Sequence, residues 1–218
     1  MPVPLPLLKP EELLSGWTPR RIGRRILTLP EAISTNTVAL DHAGEPDADG
    51  LAVFAEYQTA GRGRQGHSWV SPRGASVLCS VLLREDGGPA TAGRMVLASA
   101  VAVCEAIRSA TDLQPAIKWP NDIRIRGRKV GGILVESRAA QSGAWWWVVG
   151  IGVNCLQHMA HFAPELRDRA TSLEVESPAP VDRVAVARDL LKSLDTWLGR
   201  QVDAAEVHAA WQSYAEPL

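Results

Sequence analysis

The chain has 218 residues, 46% apolar and 22% charged, enough to bury one substantial core and ordinary for a soluble globular protein. Its formal net charge of −1 excludes a surface that binds nucleic acid over its whole extent, so any cationic chemistry of the 19 arginines and four lysines is local. Cys79, Cys104 and Cys155 are odd in number, far apart and set in apolar runs, which fits reduced thiols of a cytoplasmic protein better than disulfides or a zinc site.

Residues 1–10 carry four prolines and no basic segment, and no apolar run approaches the ~20 residues of a membrane span, so neither export nor anchoring is expected. Residues 25–29 (RILTL) read as a first strand. After Pro30, the side chains of Ser34, Thr35 and Asn36 offer caps for a short helix running to about Ala43. Residues 51–57 (LAVFAEY) form a buried strand behind Asp49-Gly50. The stretch that follows, EYQTAGRGRQGHSW at 56–69, holds glycines at the G-x-G-x-x-G spacing. A dinucleotide fingerprint needs a helix opening directly after them, and residues 67–74 have no helical period and contain both proline and glycine. Glu85 and Asp86, near the distance expected of a ribose-binding acid, fall in a turn; the Rossmann reading is rejected and the glycines lie in a loop.

Residues 75–83 form a second buried strand, and residues 92–110 a long helix apolar on nearly every face, hence central. Residues 116–119, 123–125 and 130–136 read as an antiparallel meander joined by the turns Pro120-Asn121-Asp122 and Arg126-Gly127-Arg128. Residues 144–153 are another strand, and residues 182–197 and 204–214 return to helical spacing. No regular β-α-β rhythm connects these elements. They predict an α+β fold: a mixed, largely antiparallel sheet with helices packed on one face.

Side chains two apart in an extended loop point the same way, so Arg62 and Arg64 are expected to clamp one phosphate or carboxylate, with Gly61, Gly63 and Gly66 letting the backbone approach. The alternative is a solvated loop with incidental arginines. Lys118 to Asp122 place a cation, an amide and a carboxylate on one turn, and Lys129 stands at the mouth of a strand containing Gly131 and Gly132. Paired glycines weaken a strand unless a ligand or another backbone comes close; the alternative is a bulged hairpin. Gly150, Gly152 and Asn154 close a strand either beside a ligand or at a simple turn. His158 and His161 lack a third metal ligand at suitable spacing and read as loop residues. Trp145-Trp146-Trp147 alternates across its strand, so one indole faces the core and another a subunit contact, which suggests a homodimer.

In order, Ser34-Thr35-Asn36, Gly61-Arg62-Gly63-Arg64-Gln65-Gly66 with Trp69, Lys118-Trp119-Pro120-Asn121-Asp122, residues 129–136, residues 150–154 and Thr171-Ser172-Leu173 resemble the signatures of the biotin protein ligase family. The resemblance spans about residues 26–173. It implies the biotin/lipoate protein ligase catalytic fold, similar to class II aminoacyl-tRNA synthetases, over residues 25–218 behind an extension at 1–24. It also implies a two-step reaction: biotin, ATP and Mg²⁺ give biotinyl-5′-adenylate, and the acyl group passes to a lysine of a biotin carboxyl carrier protein of acetyl-CoA carboxylase or a related carboxylase or decarboxylase. Ser34, Thr35, Asn36 and Gln58 would surround the ureido ring, while Arg62 and Lys129 would meet the carboxylate and phosphate, with Arg64 and Lys118 adding positive charge. Trp69 and Asn154 would stand near the adenine, the loop 61–69 would close over the adenylate, and Asp122 would serve either Mg²⁺ or the incoming lysine.

Three departures from the family pattern qualify this. His67 stands where an arginine is usual, which predicts a leakier or slower adenylate site. Fewer than thirty residues precede the first strand, too few for a winged-helix domain, so no DNA role is expected, and no complete β-barrel follows residue 214. The remaining alternatives are a lipoate or octanoate ligase or transferase on the related fold and a non-catalytic biotin or biotinyl-adenylate binder.

Overall fold

In the computed structural model, residues 7–140 and 144–217 are described. Seven strands, β1 (Ile26–Leu29), β2 (Ala52–Ala55), β3 (Ser76–Glu85), β4 (Ala116–Lys118), β5 (Asp122–Ile125), β6 (Arg128–Ala139) and β7 (Trp145–Asn154), form one sheet. Their spatial order is β1-β2-β3-β7-β6-β5-β4. Only β1 and β2 run parallel; every other pair is antiparallel. The expected α+β sheet and its β4-β5-β6 meander are therefore present. Arg126 and Gly127, at φ 49° and 77°, make the β5-β6 turn, a left-handed pair suited to a two-residue hairpin.

The central strands are buried on both faces, and the pleat sorts them. Val77, Cys79, Val81 and Leu83 of β3, with Val149, Ile151 and Val153 of β7, face the main core. There α3 (Pro89–Ala110) packs on the sheet and is covered by α5 (Arg183–Trp197) and α6 (Ala204–Gln212). The Asp182 carboxylate accepts from the Val184 and Ala185 N–H groups to open α5, and Asp203 accepts from the Ala205 N–H to open α6. Residues 90–110 are long and apolar enough to cross a membrane, so the expectation that no run reaches that size fails; more than half of the segment's most apolar window is buried within the fold, as in a core helix.

The other face carries the short α2 (Thr35–Asp41), whose Ala39 packs with Leu51, Val53, Leu82, Trp146 and Val148. Trp145 and Trp147 point to the α3 side with ring centroids 6.2 Å apart, and Trp146 to the α2 side. The alternation is as expected; Trp146 and Trp147 are buried within the chain, and Trp145 is half-buried.

The segment before β1 is bound into the main core through Leu8, Leu13 (in α1, Pro10–Leu13) and Ile22. The buried Asp195 carboxylate of α5 accepts from the backbone N–H groups of Arg20 (2.7 Å), Arg21 (2.9 Å) and Ile22 (2.8 Å). Asp195→Ala leaves those donors unpaired and is expected to cost about 2–3 kcal/mol in urea unfolding. A loss below the ~0.5 kcal/mol typical of surface changes would show that the segment is not held there.

Candidate functional site

On the α2 side of the sheet the strand ends, the loop 61–69 and the segment 162–170 enclose a cavity of about 490 Å³, within the range of small-ligand sites. Its floor is built by small residues. A Cβ on Gly150 would lie 2.2 Å from Asn36 Oδ1, and one on Gly152 would lie 2.5 Å from the Trp69 indole. Gly132 likewise faces Lys129 and Trp69 at 3.3–3.4 Å. Glycine is thus required here for side chains of the chain itself, not solely for a ligand. Gly131 points the other way, toward Ile123 and the Gly152 carbonyl, and does not line the cavity.

One side of the cavity is a polar network, neutral where it lines the cavity and ending behind it on the Glu136 carboxylate. Gln58 Oε1 accepts from the Thr35 N–H (2.7 Å) and hydroxyl (3.0 Å). Ser80 Oγ lies 2.7 Å from Thr35 Oγ1 and 2.6 Å from Asn36 Oδ1, and its single proton serves one of them at a time. Asn36 Nδ2 donates to Glu136 Oε2 (2.7 Å). Ser34, Thr35, Asn36 and Ser80 are buried. The walls between are apolar, formed by the side chains of Leu78 and Leu134 on the glycine face of the sheet.

The other side carries charge. Lys129 Nζ sits 2.6 Å from Asp122 Oδ1 and 5.9 Å from the Trp69 ring centroid. Its placement follows from an irregular register: Arg124 pairs with Lys129 but Ile123 with Gly131, leaving Val130 as the extra residue of a bulge. A bulge re-aims its neighbours, so the ligand-lined strand and the bulged hairpin, posed as alternatives from sequence, coexist. The Trp69 indole N–H is buried without a protein acceptor.

The loop 61–69 folds on itself. Gly63 N–H donates to the His67 carbonyl (2.7 Å) and Trp69 N–H to that of Gly61 (2.9 Å), around a left-handed turn closed by the His67 N–H on the Arg64 carbonyl (3.1 Å). That turn breaks the extended alternation assumed for Arg62 and Arg64, and the two diverge instead of clamping one anion. Arg62 donates to Glu136 Oε2 (2.9 Å) and Thr37 Oγ1 (2.9 Å); Arg64 donates to Asn121 Oδ1 (2.9 Å). Both still line the cavity, as does His67, whose Nδ1 is 2.9 Å from the Arg64 carbonyl oxygen. Gly63 lines it too; Gly61 and Gly66 shape the loop behind it.

Asn154 lines the far end with Phe162, Leu166 and Ala170, its amide fixed by donation to the Thr171 carbonyl (3.0 Å) and acceptance from Gln157 Nε2 (2.9 Å). Lys118 is exposed opposite Asp122 on β4 and does not line the cavity. Sequence reasoning missed Ser80 and Glu136. The one signal for Ser80 was a hydroxyl in the middle of an apolar run, between Val77-Leu78-Cys79 and Val81-Leu82-Leu83. Among the described residues no cluster of three metal-ligating side chains exists; His158 and His161 lie beside each other, exposed.

Residues 30–154 match the family model described as the biotin/lipoate A/B protein ligase family. The bifunctional ligase/repressor BirA of Bacillus subtilis (strain 168) is 33% identical over 210 residues, which cover 95% of this chain and 65% of that protein. The biotin--[acetyl-CoA-carboxylase] ligase of Mycobacterium tuberculosis is 36% identical over 186 residues, 83% of this chain and 64% of its own. This chain thus spans about 65% of the length of such relatives. A biotin protein ligase from Aquifex aeolicus, solved with biotin and ATP, superposes with a TM-score of 0.66 at 29% identity, covering 81% of this chain and 71% of that one.

Proposed function

Because the chain belongs to the biotin/lipoate A/B protein ligase family, we propose that it joins biotin to ATP as biotinyl-5′-adenylate and passes the biotinyl group to a lysine of a biotin carboxyl carrier protein. The observation that carries this is one cavity with a buried neutral polar network at one side, apolar walls, and a lysine-carboxylate pair at the other. Biotin has that layout: a ureido ring whose donors and acceptors must be matched on burial, an apolar chain and a carboxylate.

In the first step a carboxylate oxygen attacks the α-phosphorus of ATP and pyrophosphate leaves. Two anions meet, and Lys129, with Arg62 and Arg64 once they exchange Glu136 and Asn121 for ligand, offsets the charge that develops. In the second step the carrier lysine, as the free amine, attacks the acyl carbon and AMP leaves. Gln58, Thr35 and Asn36 hold the ring, with Ser34 beside them; Trp69, Gly132, Gly63 and Asn154 shape the pocket. The loop 61–69 shields the mixed anhydride from water.

Mg²⁺, bound to ATP as substrate, would be held mainly by the phosphates, as suits an ion that keeps its waters and needs few protein ligands. Asp122, held 2.6 Å from Lys129, is favoured for orienting the carrier's amine over holding metal on its own. Lys118, exposed on the same turn, is assigned to the approach of the carrier rather than to the reacting atoms. No role on DNA or a membrane is part of the proposal. A cytoplasmic setting is supported by three free, buried cysteines, burial pushing the Cys155 thiol up to about 12.

Biotin-dependent exchange of labelled pyrophosphate into ATP tests the first step. Exchange with octanoate or lipoate instead of biotin would favour an acyl ligase of the other branch, and tight biotin binding without exchange a non-catalytic binder. His67→Arg adds a permanent cation to the loop and is expected to slow adenylate release several-fold in a filter-binding chase. Unchanged release would remove His67 from the account of retention.

A further inference from the structure

Glu176 is a buried carboxylate that the proposed chemistry does not use. Its side chain is 1% exposed at the end of α4 (Leu173–Glu176). Oε1 accepts from Arg128 Nη2 (2.6 Å) and the Thr171 hydroxyl (2.7 Å), and Oε2 accepts from Arg126 Nη1 (3.1 Å). These partners come from two separate stretches, the β5-β6 turn and the segment 169–171. A buried charge with these donors ties both stretches to it, because releasing the arginines leaves the charge uncompensated and releasing the hydroxyl leaves a buried acceptor short of a donor.

Both stretches lead to the site. Where β7 ends, the segment 169–171 takes over as the partner of β6. The Lys129 N–H donates to the Arg169 carbonyl (2.7 Å), and the Thr171 N–H donates to the Lys129 carbonyl (2.8 Å). The Thr171 carbonyl in turn accepts from Asn154 Nδ2 (3.0 Å), and Ala170 between them lines the cavity. Thr171 is therefore bonded through its hydroxyl to Glu176, through its N–H to Lys129, and through its carbonyl to Asn154.

We infer that Glu176, acting through Thr171 and the Arg126-Arg128 turn, is a positioning residue that sets Lys129 and Asn154 at their spacing across the cavity. The inference rests on the ligase reading for its kinetic consequence, but not for its geometry. Glu176 touches neither substrate nor reacting atoms. Its effect is to hold the backbone from which Lys129 reaches Asp122.

The test uses Glu176→Gln and, should that variant fold poorly, Thr171→Val, which removes the hydroxyl but keeps the backbone bonds. In biotin-dependent pyrophosphate exchange, kcat per folded molecule falls toward the ~10²-fold loss that displacement of a reacting group by about 1 Å brings, while KM for biotin stays within about twofold. In parallel, acylation of Lys129 by an amine-reactive ester, read by peptide mass spectrometry against Lys9, Lys118 and Lys192 as internal references, rises several-fold as its pairing loosens. A lower thermal midpoint with unchanged kcat and unchanged Lys129 labelling overturns the inference and leaves Glu176 a purely structural residue. Absence of exchange in the unaltered protein would instead contradict the ligase reading, and the labelling arm would still decide the positioning role.

Discussion

Lys129→Ala is expected to lower the rate of biotinyl-adenylate formation about 10²–10³-fold, the usual cost of removing one preorganised group that stabilises transition-state charge. Lys129 is the lysine of the cavity wall, and its ammonium lies over Trp69 beside Asp122. The arginines assist but do not replace it: Arg62 and Arg64 stand on the loop 61–69 rather than on the sheet, and reach the ligand only by exchanging Glu136 and Asn121. The loss is catalytic and not a loss of fold. The side chains of Lys129 and Asp122 are 36% and 28% exposed, so their ion pair contributes no more than about 1 kcal/mol to stability. Pyrophosphate exchange together with urea unfolding separates the two effects. Exchange within threefold of the unaltered protein would remove Lys129 from the reaction.

Gly150→Ala is expected to be nearly as damaging by another route. The added Cβ falls 2.2 Å from Asn36 Oδ1 and 2.8 Å from its Cγ, and Asn36 has no slack, being 3% exposed and bonded to Ser80 and Glu136. Asn36 must leave, which disrupts the chain of bonds from Gln58 through Thr35 and Ser80 to Glu136 and so to Arg62. Overpacking of this kind costs about 1–3 kcal/mol. The same disruption at the ring-binding side lowers biotin affinity by about 10²-fold if two of its hydrogen bonds are lost. Calorimetric titration with biotin and urea unfolding measure both. Gly88→Ala is the control, since an added Cβ there meets nothing within 4 Å and its φ of −143° suits any residue. Equal biotin affinity in the two variants would show that Asn36 does not shape the ring site.

How far the sequence carried this is visible in particular residues. Residues 51–57, 75–83 and 144–153 are strand-like by apolar run alone, and each overlaps an observed strand, two of which run one or two residues further. The turn at Arg126-Gly127 was legible because left-handed backbone leaves few residue choices. Glycines at 132, 150 and 152 signalled close approach, but not of what: Asn36 and Trp69 are more than 60 residues away from them in the chain, and only the fold brings them together. The divergence of Arg62 from Arg64 depended on a left-handed turn at Gln65 and Gly66, at φ 54° and 78°, which local spacing did not reveal. Leu8 and Leu13 in a proline-rich lead-in gave no period, and their burial in the main core is a tertiary outcome. Glu176 looked like one acid among many until Arg126, Arg128 and Thr171 were seen to meet on it.

The central claim is tested most directly by transfer of radiolabelled biotin to a purified biotin carboxyl carrier domain, in the presence of ATP and Mg²⁺, with Lys129→Ala and an excess of unlabelled octanoate as controls. The account predicts labelled carrier from the unaltered protein, greatly reduced in the variant and unaffected by octanoate. Unlabelled carrier despite tight biotin binding, or label displaced by octanoate, would contradict it.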